Sequence, residues 1–359
     1  MKSLLRTAYR TACGLQAVAN GVVPRRGALA VHYGGARTGD IGGPLVKVKR
    51  LSEHFPDTPW GYDVVYLLSN APYMPGWALR LLKARGVPIV YNQNGVFYRA
   101  WYGGDWAAEN RRMAEAYRAA DWVFYQSDFC RRCADRFLGP RTGGGEVLYN
   151  AIDTQRFVPP ANADRDARPF DFLVTGKIGD HLTYRLTSTI GGLAVARQAG
   201  LDAKLTIAGW VEDGARREAA ALADTLGVAT AVRFTGSYRQ AEAPTIYGAA
   251  QAYVMMKHND PCPNTVLEAL ACGLPVLYSA TGGVPELVGA DAGVAVACPE
   301  DFERAHVPSD REIGDGMLQI AGARSAMSAA ARRRAVERFD IAHWIARHRD
   351  VFETLTGRS

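Results

Sequence analysis

The sequence has no long hydrophobic run and few cysteines. No stretch of eighteen apolar side chains occurs in its 359 residues, so no membrane-spanning helix is predicted. Its six cysteines are irregularly spaced, which does not fit a disulfide framework. Cys130 and Cys133 have the spacing of a redox or metal pair, but no second pair accompanies them, and we predict no metal site. Nothing in the sequence is typical of a nucleic-acid-binding module, so no nucleic-acid partner is predicted.

Acidic side chains are missing from the first 39 residues. Six basic residues lie there, and apolar residues recur beside them at helical spacing: Leu4, Leu5, Ala8, Tyr9, Ala12 and Leu15. This pattern predicts a basic amphipathic helix, and residues 1–20 could lie on an anionic membrane surface. It also fits a first helix that packs on its own domain. Arg6 and Arg10 interrupt any apolar core, so a signal peptide is not predicted.

The length and the order of predicted elements indicate an α/β protein with two domains. At about 150 residues per domain, 359 residues suggest two. Predicted strands alternate with helices over residues 29–150 and again over residues 170–278, which indicates parallel, doubly wound sheets. The stretch before residue 170 is rich in Pro, Asp and Ala, and we interpret it as a linker.

One stretch, residues 260–286, carries most of the chemical information. It reads DPCPNTVLEALACGLPVLYSATGGVPE. After a proline turn, Asn264 or Thr265 can cap a short helix that ends before Gly273. A buried strand, a glycine turn and a second helix start follow, with Pro285 near the first helical position.

The two helix starts and the carboxylates in this stretch suit different parts of a ligand. Free N–H groups at a helix N-terminus favour a phosphate. The carboxylate of Glu268, one turn into the first helix, can instead accept hydrogen bonds from paired hydroxyls, as on a ribose or a sugar ring. The pattern therefore favours a ligand with anionic and polyhydroxyl parts, and a nucleotide sugar has both.

The same stretch resembles the donor-site signature of retaining glycosyltransferases of family 4, glycosyl transferases group 1, which have the GT-B fold. The family pattern is Glu, seven residues, Glu, then Ala-x-Ala-x-Gly-x-Pro-Val and Gly-Gly-x-x-Glu. The matching residues here are Asp260, Glu268, Ala269, Ala271, Gly273, Pro275, Val276, Gly282, Gly283 and Glu286. Asp260 departs from the pattern, because its side chain is one methylene shorter than that of Glu.

The resemblance implies two Rossmann-like, doubly wound parallel-sheet domains that face each other across a cleft. The acceptor-side domain would span residues 1–157, with a C-terminal helix at 340–359 that crosses back to it. The donor-binding domain would span residues 158–339. The resemblance also implies retention of the anomeric configuration without a metal or a cofactor, and a UDP- or GDP-linked sugar as donor.

The resemblance further assigns roles to individual residues. Lys177 and Arg185 would clamp the donor diphosphate. Asp260 would bind a hydroxyl of the donor sugar, and Glu268 would bind the ribose. The remaining residues expected at the donor are Gly42, Gly43, Gly176, Tyr238, Cys262, Pro263, Asn264, Thr265, Gly282 and Gly283.

The first half departs from the family near the end of its third predicted strand. Many family members have a His there, whereas this chain has Asn94 in the same area, which we include among the catalytic candidates. An amide can bind a hydroxyl but cannot act as a general base. Five aromatic residues follow, and they fit either a stacking surface for a sugar or apolar acceptor or a packed loop: Phe97, Tyr98, Trp101, Tyr102 and Trp106.

We interpret the chain as a glycosyltransferase that moves a sugar from a nucleotide-diphosphate sugar to a hydroxyl of a glycan, a glycolipid or a small molecule. The expected context is polysaccharide, lipopolysaccharide or glycolipid synthesis, in the cytoplasm or peripherally on the inner face of the membrane. An alternative is a catalytically weak GT-B partner subunit, which the missing His and the shortened Asp260 favour. A dehydrogenase or epimerase is disfavoured, because no dinucleotide fingerprint follows the first strand.

Overall fold

The structure, a computed structural model, describes residues 2–24, 27–39, 43–160 and 169–358. Those residues group into two compact units. One takes the described residues of 1–149 and 342–359, and the other takes those of 150–341. The domain boundaries expected at residues 157 and 340 stay predictions.

A five-stranded parallel sheet forms the middle of the first unit. Its strands lie side by side in chain order: β1 (Val31–His32), β2 (Val64–Leu68), β3 (Ile89–Gln93), β4 (Trp122–Tyr125) and β5 (Gly144–Val147). An isolated parallel bridge joins Val31 to Asp57 on the other side of β1. From β1 the sheet therefore extends to Asp57 on one side and through β2 to β5 on the other side, as in a doubly wound sheet.

Five helices of the first unit precede or connect these strands: α1 (Lys2–Asn20), α2 (Gly43–Ser52), α3 (Gly76–Ala84), α4 (Trp106–Ala119) and α5 (Asp128–Leu138). Side-chain oxygens cap two of them, since Asp105 accepts from the N–H of Ala108 and Ser127 accepts from the N–H of Cys130. These caps satisfy N–H groups that have no partner inside the helix.

A six-stranded parallel sheet forms the middle of the second unit. Its strands are β6 (Phe170–Thr175), β7 (Ala203–Ala208), β8 (Val232–Gly236), β9 (Ala252–Met255), β10 (Val276–Ser279) and β11 (Gly293–Val296). They lie in the order β11-β10-β9-β6-β7-β8. The winding direction reverses between β6 and β9, which makes the carboxyl ends of these two strands the topological switch point of the sheet.

The helices of the second unit are α6 (Tyr184–Gln198), α7 (Asp213–Thr225), α8 (Ala243–Gly248), α9 (Asn264–Ala271), α10 (Val284–Val288) and α11 (Asp310–Phe339). A capping box starts α11, in which Ser309 and Glu312 exchange side-chain to backbone hydrogen bonds. Gly192 lets α6 approach α11 closely, because a Cβ there would lie 2.3 Å from Ile313. The buried faces of β6, β7 and α6 form an apolar core, which explains the continuous hydrophobic runs in the sequence.

The last helix, α12 (Ile341–Thr356), packs on the sheet of the first unit. The Tyr66 hydroxyl lies 3.1 Å from Nε2 of His348, whose Nδ1 lies 2.8 Å from the Trp344 carbonyl oxygen. Burial lowers the pKa of His348 to about 3, so the imidazole is neutral at physiological pH. Among the described residues no helix has the length and apolar character that crossing a membrane requires.

Candidate functional site

The loop that carries Asp260 follows β9 at the switch point of the second sheet. The Asp260 carboxylate is 2.7 Å from Nζ of Lys257 and accepts the N–H of Cys262 at 3.3 Å. Gly283 donates its N–H to the Asp260 carbonyl at 2.9 Å. Gly282 has a φ of +70°, and a Cβ there would lie 2.5 Å from the same carbonyl oxygen. Only glycine fits this approach, which explains its place in the sequence pattern.

The helix α9 follows this loop, and its start differs from the prediction. We expected Asn264 or Thr265 to cap the helix, but the cap position is held by Pro263, which has an extended conformation and no side-chain bond. Asn264 is the first helical residue, and its buried Oδ1 has no hydrogen-bond partner among the described residues. The prediction was wrong because the proline turn ends at least one residue earlier than the pattern suggested, so that the helix already begins at Asn264.

Glu268 lies in the second turn of α9 and is 92% buried, with 8% of its surface exposed. Burial raises the pKa of Tyr238, and the nearby charge of Glu268 raises it further. Tyr247 is affected in the same way. The structure therefore brings Tyr238 from the end of β8 close to Glu268. It also places Cys262 beside Asn150, whose Nδ2 donates to the Cys262 carbonyl at 2.9 Å.

Two cations lie at the carboxyl end of β6. Arg185, in the first turn of α6, is buried and donates to the Thr175 carbonyl at 3.3 Å. Its Nη2 is also 3.8 Å from Sδ of Met255, so the guanidinium touches the ends of both β6 and β9. Its Nε is buried and has no partner among the described residues. A buried cation with an unsatisfied donor at a switch point is suited to an anionic ligand.

Lys177 lies on the exposed side of the same edge, directly after Gly176. Its Nζ is 4.9 Å from the ring centre of Trp210, a cation–π contact. Gly176 has a φ of +129°, and a parallel bridge between Ile178 and Val211 extends the pairing past both residues. Lys177 and Trp210 therefore emerge side by side. No carboxylate oxygen of the described residues lies within 4 Å of Nζ, so its charge is not neutralised locally.

Tyr238 borders a pocket of about 530 Å³ beside β8 and α8. Its floor includes the buried carboxylate of Asp171, which accepts from the Thr206 hydroxyl at 2.9 Å. Burial raises the pKa of Asp171, although this hydrogen bond lowers it. The described lining residues come from β6, β7, β8, α8 and the segments beside them, and none of them belongs to the Asp260 loop.

The corresponding edge of the first unit carries amides. Asn94 donates its N–H to Ser69 Oγ at 3.0 Å and its Nδ2 to Asn70 Oδ1 at 3.1 Å. Gln126 donates to Oδ1 of Asn94 and, at 3.0 Å, to Oδ1 of Asn92. The Asn94 side chain is therefore held on both sides by neutral groups.

Of the two glycines predicted in the first unit, Gly42 lies outside the described residues, and Gly43 is the first residue of α2. The aromatic run that follows Asn94 is largely packed. Phe97 stacks on Trp101 with ring centres 5.1 Å apart, and Tyr98 is buried. Trp101 is the more open of these, with 49% of its surface exposed. The run therefore contains both a packed loop and one accessible aromatic side chain.

The structure also shows partners that the sequence did not reveal. Lys257 pairs with Asp260, Trp210 contacts Lys177, and the hydroxyl of Tyr184 accepts the N–H of His258 at 3.3 Å. A tryptophan after a glycine at a strand end is the one local signal that could have indicated Trp210. Among the residues described, no three His, Cys, Asp or Glu side chains converge in a way that could hold a metal ion.

Two family models match the chain. The model described as Glycosyltransferase Family 4 matches residues 14–156, and the model described as Glycosyl transferases group 1 matches residues 173–307. Glycogen synthase of Mycobacterium tuberculosis (strain ATCC 25618 / H37Rv) is 26% identical over 269 residues, which is 70% of this chain and 60% of the relative. A GDP-mannose-dependent alpha-mannosyltransferase of the same species (strain CDC 1551 / Oshkosh) is 29% identical over 243 residues, 63% of this chain and 57% of the relative.

Solved structures share the fold. HepE of Anabaena, solved with UDP-glucose, superimposes with a TM-score of 0.63 at 17% identity, over 87% of this chain and 82% of that chain. Sucrose-phosphate synthase of Thermosynechococcus elongatus gives a TM-score of 0.63 at 18% identity, over 84% and 75%. This chain spans about 60% of the length of the curated relatives it matches. The two family models together match most of the chain and show that it belongs to glycosyltransferase family 4, and the solved structures show that it shares their fold.

Proposed function

We propose that this chain transfers a sugar from a nucleoside diphosphate sugar to an acceptor hydroxyl, with retention of the anomeric configuration and without a metal or other cofactor. The observation that carries the proposal is the carboxyl edge of the second sheet. There the loop of Asp260, the helix of Glu268 and the buried guanidinium of Arg185 meet at the switch point between β6 and β9. Open α/β sheets bind ligands at this position.

The charges at this edge fit the departure of a nucleoside diphosphate. When the bond between the sugar and the diphosphate breaks, negative charge grows on the phosphate oxygens. Lys177, whose ammonium contacts the Trp210 ring, and Arg185, whose buried Nε has no partner among the described residues, would stabilise that charge. Preorganised donors of this kind are often the largest single contribution to catalysis.

The carboxylates would bind the neutral parts of the donor. Glu268 would accept hydrogen bonds from the ribose diol, and Asp260 would accept one from the transferred sugar. Gly176, Gly282 and Gly283 would let the ligand approach the backbone closely, since they add no Cβ. The remaining expected contacts come from Tyr238 and from the start of α9: Cys262, Pro263, Asn264 and Thr265.

The relatives support a nucleoside diphosphate donor but leave its base open. HepE was solved with UDP-glucose, and one relative is named as dependent on GDP-mannose. We therefore propose a UDP- or GDP-linked sugar. For the acceptor we propose a glycan, a glycolipid or a small molecule that binds in the first unit near Asn94 and Gly43, in polysaccharide, lipopolysaccharide or glycolipid synthesis, with the protein in the cytoplasm or at the inner face of the membrane.

A catalytically weak partner subunit is the second candidate, and one contact favours it. The Asp260 carboxylate lies 2.7 Å from the Lys257 ammonium, which reduces its capacity to accept a bond from a sugar. Such a protein would bind the nucleotide sugar without transferring the sugar.

One experiment separates the two candidates. The purified chain is titrated by calorimetry with UDP, UDP-glucose, GDP and GDP-mannose. The release of UDP from UDP-glucose and of GDP from GDP-mannose is then followed over hours. The transferase is supported if a nucleotide sugar binds and its nucleoside diphosphate is slowly released, and if Arg185→Ala abolishes that release. Binding without release supports the partner subunit, and binding of none of the four contradicts both.

A further inference from the structure

A turn far along the chain contacts the loop that carries Asp260. This segment follows β11 and spans residues 298–306, and it is named here the Asp301 turn. The carbonyl oxygen of Asp301 accepts from Nδ2 of Asn259 at 2.8 Å and lies 3.0 Å from Nε2 of His258. Two consecutive side chains just before Asp260 are thus tied to one backbone oxygen.

The Asp301 side chain fixes the direction of that oxygen. Its carboxylate accepts the N–H of Glu303 at 2.7 Å and the N–H of Arg304 at 3.4 Å, and it lies 2.8 Å from Nε2 of His306. These bonds, with that of His306 the strongest, lower the pKa of Asp301 to about 2. The carboxylate is therefore ionised and holds the turn closed at physiological pH.

Asn259 needs such support because of its backbone. Its φ is +51°, and it is the one non-glycine residue with a positive φ in the described part of the chain. Asn tolerates this left-handed conformation better than most residues, but it still requires surroundings that fix it. Its N–H also donates to the Thr281 hydroxyl at 3.0 Å. The next residue is Asp260, so the conformation of Asn259 sets the direction in which Asp260 leaves β9.

We propose that the Asp301 turn positions Asp260 toward the sugar of the donor, with Asn259 and His258 as the side chains that transmit the constraint. The inference rests on the proposed function, because it assumes that Asp260 contacts the donor sugar. Asp301, Asn259 and His258 act as positioning residues. Their effect should appear with a nucleotide sugar and not with the nucleoside diphosphate alone, since the diphosphate is held by other groups.

The test compares affinity for UDP-glucose with affinity for UDP, and affinity for GDP-mannose with affinity for GDP, by calorimetry. Asn259→Gly keeps the positive φ without strain but removes the bond to Asp301. Asp301→Ala opens the turn, whereas Asp301→Asn keeps a side-chain oxygen for the Glu303 N–H. Since each change removes about one hydrogen bond, we expect Asn259→Gly and Asp301→Ala to bind the nucleotide sugar about three- to tenfold more weakly than wild type. Both variants should bind the nucleoside diphosphate as wild type does. Asp301→Asn should bind both ligands nearly as wild type does.

The outcomes separate the inference from the proposed function. The surface variant Asp291→Ala is the matched control and should behave as wild type, since Asp291 is exposed and forms an ion pair with the exposed Arg333. If the variants weaken both ligands equally, or weaken neither, the Asp301 turn has no positioning role while the proposed function stands. If the wild-type chain binds none of the four ligands, the proposed function fails, and the role of the turn in donor binding fails with it.

Discussion

The two units present different chemistry at the carboxyl edges of their sheets. The edge of the first unit carries amides and hydroxyls around Asn94 that hydrogen-bond to one another, with the buried Lys47 ammonium 2.7 Å from Oδ1 of Asn92 behind them. The edge of the second unit carries ionised groups, among them Arg185 and Asp260. Folds of one type therefore hold different ligands according to a few side chains after their strands. The amides suit hydroxyl groups, whereas the charged edge suits a diphosphate.

The largest expected effect is at Arg185. Arg185→Ala should lower the turnover of UDP-glucose or GDP-mannose about 100-fold while raising KM much less, because the guanidinium acts on charge that grows as the diphosphate leaves. Arg185→Lys keeps a positive charge, so its turnover should fall less than that of Arg185→Ala. The control is Arg217→Ala on the exposed face of α7. A higher KM with unchanged turnover would rule out the leaving-group role, and steady-state kinetics distinguishes the two.

Glu268→Gln should weaken the binding of nucleoside diphosphate by about 1.5–3 kcal/mol, because it removes a charged hydrogen-bond acceptor for the ribose. Calorimetry measures the affinity, and thermal unfolding checks that the variant is folded. Glu337→Gln, at an exposed position of α11, is the matched control. An unchanged dissociation constant would remove Glu268 from the donor site.

Burial in the first unit has a pH consequence at His348. Its pKa is about 3 in the folded chain against an ordinary value of 6.5, since burial disfavours the charged imidazole. The unfolded chain therefore binds a proton between pH 6.5 and 3 that the folded chain does not, so stability should fall as pH decreases through this window, by at most about 1.4 kcal/mol per pH unit.

Urea unfolding of the full chain from pH 7 to 4 checks this expectation. His348→Gln should give a shallower loss of stability on acidification, and the exposed His343→Gln should follow wild type. Identical pH profiles for all three proteins would mean that His348 is not the group responsible.

The sequence predicted the charged edge better than the neutral one, and the reason is local patterning. The glycines, the prolines and the two carboxylates of residues 260–286 lie within one stretch, and their spacing indicated the loop and helix that the structure shows. In contrast, the Asp301 turn contacts Asn259 from 42 positions away, and no local pattern records such a contact.

The amide edge illustrates the same limit. Asn94 was chosen as a candidate because it lies in the area where many family members have a His, but its partners Ser69, Asn70 and Gln126 follow other strands. Their proximity depends on strand order, which hydrophobic periodicity alone does not specify. The helix cap was missed for a different reason, since Pro263 and Asn264 both fit a helix start and only the backbone geometry distinguishes them.

A smaller effect is expected from Trp210. Its ring supports the Lys177 ammonium at 4.9 Å without neutralising it, as a carboxylate would. An exposed cation–π contact contributes about 0.5–1 kcal/mol, so Trp210→Leu should weaken UDP or GDP binding about two- to fivefold, and Trp210→Phe should weaken it less. Trp60→Leu, at an exposed position of the first unit, serves as control. If Trp210→Leu weakens binding by the same factor in the Lys177→Met variant as in wild type, the two effects are additive and the contact between the two side chains has no role in binding.

The smallest and most salt-dependent effect concerns α1. The predicted apolar stripe divides into two faces. One face packs on the first unit and includes Tyr9, Cys13 and Ala17. The Tyr9 hydroxyl donates to the Gly35 carbonyl at 2.6 Å. Leu5 and Leu15 are 65% and 61% exposed and lie on the other face with Ala8 and Ala12. The helix can therefore pack on its unit and still present an apolar surface, so the two interpretations of the sequence do not exclude each other.

Membrane binding through this outer face stays a prediction that point variants can test. Deleting residues 1–20 would also remove the buried contacts of Tyr9 and Cys13, so Leu5→Glu and Leu15→Glu are the cleaner changes. We expect the wild-type chain to co-sediment with anionic vesicles and not with neutral ones, because each basic residue near an anionic surface contributes about 1 kcal/mol that salt screens. Both Glu variants should reduce this binding, while Leu45→Glu on α2 should not. Equal sedimentation with neutral and anionic vesicles, or no loss in the Glu variants, would mean that the exposed leucines of α1 have no part in membrane attachment.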